Sequence, residues 1–249
     1  MGSDEGTNVD VAANLRGVED RVGQAAGRVG RSREEITIVG VTKGLGVERA
    51  LQGIRAGLKH LGENYVQEAV EKQQGLEGQP VTWHFIGHLQ TNKVKQAIRM
   101  FEWVHSVDSV RLAEEISRRF TQEAGEDGSR ERREMKVLLE VNTSGEGSKF
   151  GAEPAEAAGV AERIGGLPGL RLLGLMTIGP LAGDAEEARP CFRRVRELAG
   201  EIEARQLPGV EMRHLSMGMT NDFEVAIEEG ATIIRVGTAI FGPRPSRTE

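Results

Sequence analysis

Apolar residues fall at Val11, Leu15, Val18, Val22, Ala25 and Val29. That spacing is helical and predicts an opening helix over roughly residues 8–30. An alternation of short apolar runs and amphipathic stretches follows. The runs at 37–43, 60–64, 82–87, 101–108, 136–144, 170–179, 212–218 and 232–242 read as strands. Helical patterns fill every interval: 47–57, 65–75, 91–100, 110–120, 154–165, 185–204 and 221–229.

Eight strands with a helix in each interval predict a parallel sheet covered by helices. In a chain of 249 residues, they fit an α/β single-domain (β/α)8 TIM barrel with an extra N-terminal helix. A doubly wound open sheet is the competing architecture, but no GxGxxG follows the first strand. The eighth strand runs almost to the C-terminus, so no helix is expected after it, and the opening helix is expected to fill that place in the outer ring. Residues 1–7 read as a disordered lead and 8–249 as the barrel. The charged stretch 122–135 joins a helix to the next strand, which places it on the face opposite the strand C-termini.

Composition narrows the function classes. The net charge of −6 gives no electrostatic reason to expect nucleic acid or an anionic membrane as partner. Cys191 is the single cysteine, so neither an internal disulfide nor a CxxC metal cluster can form. No apolar run reaches membrane-spanning length, and MGSDEGTNVD lacks a signal-peptide apolar region. The expectation is a cytoplasmic monomer.

Candidate chemistry lies at the C-terminal strand ends, the active face of such barrels. These ends carry Lys43, Asn64, His88, Asp108, Asn142 to Ser144, Thr177, Ser216, Arg235, Gly237 and Thr238. Strand ends border loops, so polar residues there are ordinary, and Asp108 reads first as the cap of the following helix. His84 and His88 are four apart across a strand end, which disfavours a metal pair. His60, His105 and His214 read as packing or hydrogen-bonding residues.

Lys43 ends the run TIVGVTK and shares its face with Val39 and Val41, so its amine can face a cavity as a nucleophile or Schiff-base partner. The last two strand ends, S-M-G-M-T-N-D and R-V-G-T, combine glycines with the hydroxyls of Ser216 and Thr238. Asn221 and Glu224 have capping-box spacing. Loops after strands seven and eight are where barrels commonly hold phosphate. Arg235 shares its face with Ile233 and Gly237, which aims the guanidinium into the barrel mouth. A Schiff-base lysine, a phosphate nest and an inward arginine together suggest pyridoxal 5′-phosphate (PLP).

The chain also resembles the pyridoxal phosphate homeostasis proteins. The segments that carry the resemblance are V-T-K at 41–43, H-L-G-E-N-Y-V-Q-E at 60–68, W-H-F-I-G-H-L-Q-T-N-K at 83–93, V-N-T-S-G-E-G-S-K-F-G at 141–151, L-M-T at 175–177, L-S-M-G-M at 215–219 and R-V-G-T-A-I-F-G at 235–242. The resemblance implies a barrel like the N-terminal domain of alanine racemase, with PLP on Lys43. It also implies phosphate contacts from Ser216, Gly237 and Thr238, Arg235 by the ring nitrogen, and Asn64 at the cofactor's edge. Thr42 stands where serine is commoner, Gly-Leu-Gly follows Lys43, and Thr220-Asn221-Asp222 replaces a more usual Ser-Asp-Asp.

Two classes of function follow. One is a carrier active in intracellular PLP and amino-acid homeostasis, with PLP-dependent apoenzymes as recipients. The other is a racemase-like PLP enzyme acting on a small amino acid. Arginine stays protonated and does not leave a proton on the pyridine nitrogen, which makes the ring a weaker electron sink. Racemases of this resemblance add a second domain, for which the chain, ending at Glu249, has no room. Both points favour the carrier. A third reading, a cofactor-free aldolase using Lys43 on a sugar phosphate, needs an acid/base pair that only Asp108 and Glu140 offer.

Overall fold

The computed structural model describes residues 9–127, 134–143, 150–180 and 184–244. The lead 1–7, Ser144 and part of the 122–135 stretch lie outside the described residues. Eight parallel strands close into a barrel in the order β1 to β8, with β1 hydrogen-bonded to β8. The strands are β1 (Thr37–Val41), β2 (His60–Glu63), β3 (Thr82–Phe85), β4 (Trp103–Val107), β5 (Met135–Glu140), β6 (Leu170–Met176), β7 (Val210–Ser216) and β8 (Ile233–Val236). The helices are α1 (Val11–Arg28), α2 (Val47–Arg55), α3 (Val66–Gly75), α4 (Val94–Met100), α5 (Val110–Asp127), α6 (Ala157–Gly165), α7 (Arg189–Glu203), α8 (Phe223–Glu228) and α9 (Thr238–Phe241).

Strand side chains alternate between two cores. Val39, Trp103, Leu138, Leu173, Met176 and Ile233 form a cluster inside the barrel, separate from the larger one under the helices. Ile38 belongs to that outer layer, while Val39 points inward, as a period of two requires. The opening helix begins at an Asp10 cap, whose carboxylate accepts from the Ala13 amide at 2.8 Å. Such caps are worth about 1 kcal/mol. Its stripe of Val11, Leu15, Val18, Val22 and Ala25 is buried. The Asn14 side chain donates to the Ile240 carbonyl, and Arg21 makes a forked pair with Glu224. These contacts seat α1 against α8 and α9, the ring position expected for it.

Three expectations need correction. The chain does turn helical after β8: T-A-I-F forms the single turn α9, and the strand stops at Val236. The apolar run reads as a continuing strand, but Phe241 and Ile240 are drawn into the outer core instead. The stretch 122–135 begins as the end of α5, which continues to Asp127. The cap of α5 comes from Ser109, whose hydroxyl accepts from the Leu112 amide; Asp108 lies 3.3 Å from His88 instead. The Asn221–Glu224 capping box does not form either. Asp222 occupies the cap position of α8, and Glu224 is committed to Arg21.

Candidate functional site

A cavity of about 260 Å³ opens at the C-terminal strand ends of β1, β2 and β8. Its walls include Lys43, Asn64, Arg235, Gly237 and Thr238. Five of the six residues singled out from sequence therefore meet in one place, near the lower end of the size range of small-molecule sites.

Lys43 sits two residues past β1 because the chain turns there. Gly44 has φ +71, a left-handed conformation that glycine adopts without strain. The Gly44 amide donates to Glu68 Oε2 at 2.7 Å. Behind the turn, the buried Lys72 amine donates to the Thr42 carbonyl and to Glu63 Oε1, each at 2.6 Å, and the Thr42 hydroxyl also donates to Glu63. The turn is thus pinned on its hidden side while Lys43 faces the cavity. Burial is the main cause that holds the Lys43 amine below the ordinary lysine range. The positive charges of Arg244 and Arg235 add to it, against Glu68 and Glu63. A lowered pKa leaves more free amine at neutral pH, which is what a nucleophilic lysine needs.

Arg235 is buried at the cavity floor. Its guanidinium donates to the Ser216 hydroxyl at 2.7 Å and to the Thr177 carbonyl at 2.8 Å, both neutral oxygens. Burial lowers its pKa to about 10, partly offset by Glu140 and Asp222, so it stays charged at neutral pH. Ser216 is fully buried and does not line the cavity; its hydroxyl sits between Arg235 and His105. The structure thus brings it under the guanidinium.

Past the end of β2, the Asn64 side-chain oxygen is buried without a hydrogen-bond partner. An orphaned buried acceptor beside a cavity fits a site built for a polar ligand. Two wall residues carry little sequence signal. Thr220 accepts from the Ala239 amide at 3.4 Å, which brings its hydroxyl beside the Gly237–Thr238 turn. Arg244 also lines the cavity, near enough for its charge to act on Lys43. Thr220 is reachable from the M-G-M-T motif, because Gly218 at φ +91 bends the chain there and a Cβ on it would meet Ala226 at 2.6 Å.

Other candidates fall outside the cavity lining. Tyr65 directly precedes α3 and is 57% exposed. His88 and Asp108 pair with one another on a separate part of the rim. Glu140 is buried, and its pKa rises to about 7, first from burial and then from the charge of Asp108. Of the described residues lining the cavity, Asp222 is the one carboxylate, and it accepts from the Met219 amide. No group of metal-binding type was found among the described residues, and no described helix is long and apolar enough to cross a membrane.

A lysine, a buried arginine and a glycine–threonine turn thus meet around one barrel mouth. The family described as "Alanine racemase, N-terminal domain" matches residues 14–245. Alanine racemase of Clostridium difficile has the same barrel at 16% identity, with a TM-score of 0.73 over 96% of this chain and 60% of that one. Far nearer in sequence is a pyridoxal phosphate homeostasis protein of Aquifex aeolicus, 41% identical over 95% of this chain and 99% of its own. The protein of that name in Escherichia coli K12 is 39% identical over 94% and 97%. PipY of Synechococcus elongatus, solved with PLP bound, is 35% identical, with a TM-score of 0.78 over 93% of this chain and 100% of that one. The chain belongs to the pyridoxal phosphate homeostasis protein family.

Proposed function

We propose that this chain binds PLP in the cavity at the barrel mouth, as a Schiff base on Lys43, and acts in intracellular PLP and amino-acid homeostasis. The observation that carries the reading is the shared cavity of two cations of different kinds. Lys43 is held below its ordinary pKa, and Arg235 is locked by neutral acceptors beneath it. Bound PLP supplies an aldehyde carbon that an amine can hold and release. Lys43 takes that role, Arg235 faces the ring nitrogen, and Gly237, Thr238 and Thr220 cradle the phosphate. Asn64 offers its orphaned oxygen to the ring edge, and Ser216 acts by holding Arg235 in place. The PLP-bound PipY structure supports the choice of ligand.

The lining favours a carrier that passes PLP to dependent apoenzymes over a racemase-like enzyme. Racemisation needs proton-transfer groups near the substrate carbon. Among the described lining residues the one carboxylate is already bonded to a backbone amide, and Tyr65 lies elsewhere. Glu140 and Asp108, which an aldolase would need, do not reach the cavity wall.

An absorption spectrum with added PLP, followed by borohydride reduction and peptide mapping, tests this reading. We expect a yellow protein with the reduced pyridoxyl group on Lys43 and no reducible adduct in Lys43→Ala. A colourless protein that takes up no PLP, or an adduct that survives in Lys43→Ala, would overturn it.

A further inference from the structure

Beneath the cavity floor, the barrel interior contains an uninterrupted line of imidazoles. His105 Nδ1 lies 2.9 Å from the Ser216 hydroxyl, and its Nε2 lies 2.9 Å from His84 Nδ1. His84 Nε2 in turn lies 3.0 Å from His60 Nδ1. Since Arg235 donates to the same Ser216 oxygen, three residues, Ser216, His105 and His84, link the guanidinium to His60. His84 and His105 are 1% and 0% exposed, whereas His60 is half-buried and opens β2 at the opposite end of the barrel. The line therefore runs from the site through the core to solvent on the far face.

We propose that His105, His84 and His60 are positioning residues for Arg235, acting as one hydrogen-bonded chain that couples the protonation of His60 to the hydrogen-bonding state of Ser216. The consequence for a bound ring rests on the PLP reading; the chain itself does not.

The coupling follows from what imidazole can do. A neutral ring carries one N–H and one bare nitrogen, so each inner ring donates in one direction and accepts from the other. Two proton orders satisfy every contact. In one, all rings donate toward Ser216, whose oxygen then accepts from both His105 and Arg235. In the other, the Ser216 hydroxyl donates to His105, and every ring donates toward His60. Donating to His105 makes the Ser216 oxygen a stronger acceptor for Arg235, because chained hydrogen bonds polarise one another.

Charging His60 selects between the two orders. An imidazolium donates from both nitrogens, so His60 must then donate to His84, which fixes the whole chain toward Ser216. His60 is the ring that charges first. Burial lowers all three, but it holds His84 and His105 far below the ordinary range and His60 less so. The charged and titratable groups around the chain oppose protonation as well. Lys59 and Lys136 face His60; His60, His105, Lys136 and His214 face His84; Arg235, His214 and His60 face His105.

The test is nitrogen NMR of histidine-labelled, ligand-free protein, taken from mildly alkaline to mildly acidic buffer. His84 and His105 are expected to stay neutral, each with one protonated nitrogen, and to convert together to the Nδ1–H form as His60 charges. Inner tautomers that stay constant while His60 titrates would overturn the proposal. In His60→Leu the pH response of both inner rings should vanish, and its persistence would also overturn it. Added PLP should then shift the His105 nitrogens in wild type and not in Ser216→Ala. PLP uptake seen by absorbance, with no change at His105, would remove the link to the site. If no PLP binds, the cavity reading falls, while the ligand-free titration still decides the chain.

Discussion

Lys43 and Lys72 flank the same turn and have opposite fates. Lys72 reaches it from α3, is almost fully buried, and has its amine fixed by Glu63 Oε1 and the Thr42 carbonyl. Lys43 leaves the turn on the other side. Among the described residues, no carboxylate lies within ion-pairing distance of its amine. One lysine therefore spends its charge holding the backbone, and the other is left half-buried with that charge disfavoured. The pair shows how a fold disfavours the charge on one amine: the nearest buried carboxylate is used on its neighbour. The arrangement is costly on the structural side. Burial pushes the Glu63 carboxyl up despite the Lys72 charge beside it, and its second oxygen has no partner.

The comparison breaks most sharply at Lys72. Lys72→Met leaves Glu63 buried without its cation, and removing one partner of such a pair typically costs about 3–5 kcal/mol. Denaturant unfolding should show that loss, whereas Lys43→Met should stay within roughly 0.5 kcal/mol of wild type. Equal losses would mean that both lysines are structural. Lys72→Met combined with Glu63→Gln should recover much of the loss, on the order of 2 kcal/mol. A neutral amide can still accept from Thr42 and carries no unpaired charge. A double variant as unstable as Lys72→Met would place the stabilisation in packing of the lysine stem.

The sequence reveals these two lysines unequally. Lys43 is legible because it ends an alternating run just before Gly44, and a period of two assigns its face. Arg235 is legible for the same reason, beside Ile233 on the inward face of β8. The barrel itself follows from the alternation of periods. Lys72 carries no such signal: it looks like any lysine on an amphipathic helix, and its partner lies nine residues back across a strand end. The histidine chain is hidden for a related reason. Its contacts join β2, β3, β4 and β7, and their alignment depends on strand stagger, which no local pattern records. T-A-I-F is misread because its local preference agrees with a strand and only the outer core turns it into α9.

A smaller effect sharpens the contrast at the level of reactivity. The lowered pKa of Lys43 gives it more free amine than an ordinary lysine near neutral pH, about tenfold for each unit of lowering. Peptide-resolved acylation should therefore label Lys43 ahead of exposed lysines such as Lys95, and its labelling should level off at a lower pH. Its pH profile should move toward the ordinary lysine range in Arg244→Ala, because that variant removes one of the two neighbouring positive charges. Labelling of Lys43 no faster than that of Lys95 would mean that the amine is not activated.

The smallest effect belongs to Glu68, which sits between the two lysines. It accepts from the Gly44 amide and lies 3.7 Å from the Lys72 amine, and its charge works against the lowering of the Lys43 pKa. Glu68→Gln keeps an oxygen for Gly44 and removes the charge. Because the carboxylate is partly exposed, the change in stability should stay within about 0.5 kcal/mol. The Lys43 pKa should drop further, so acylation at a fixed neutral pH should speed up modestly, while Lys72 stays protected. Slower labelling of Lys43 would show that Glu68 acts mainly by shaping the turn. Exposure of Lys72 in the same variant would show that the two sides of the turn are not separable. Unchanged Lys72 protection with faster Lys43 labelling would mean that the turn's geometry belongs to the Glu63–Lys72 pair, and that Glu68 only tunes the amine facing the cavity.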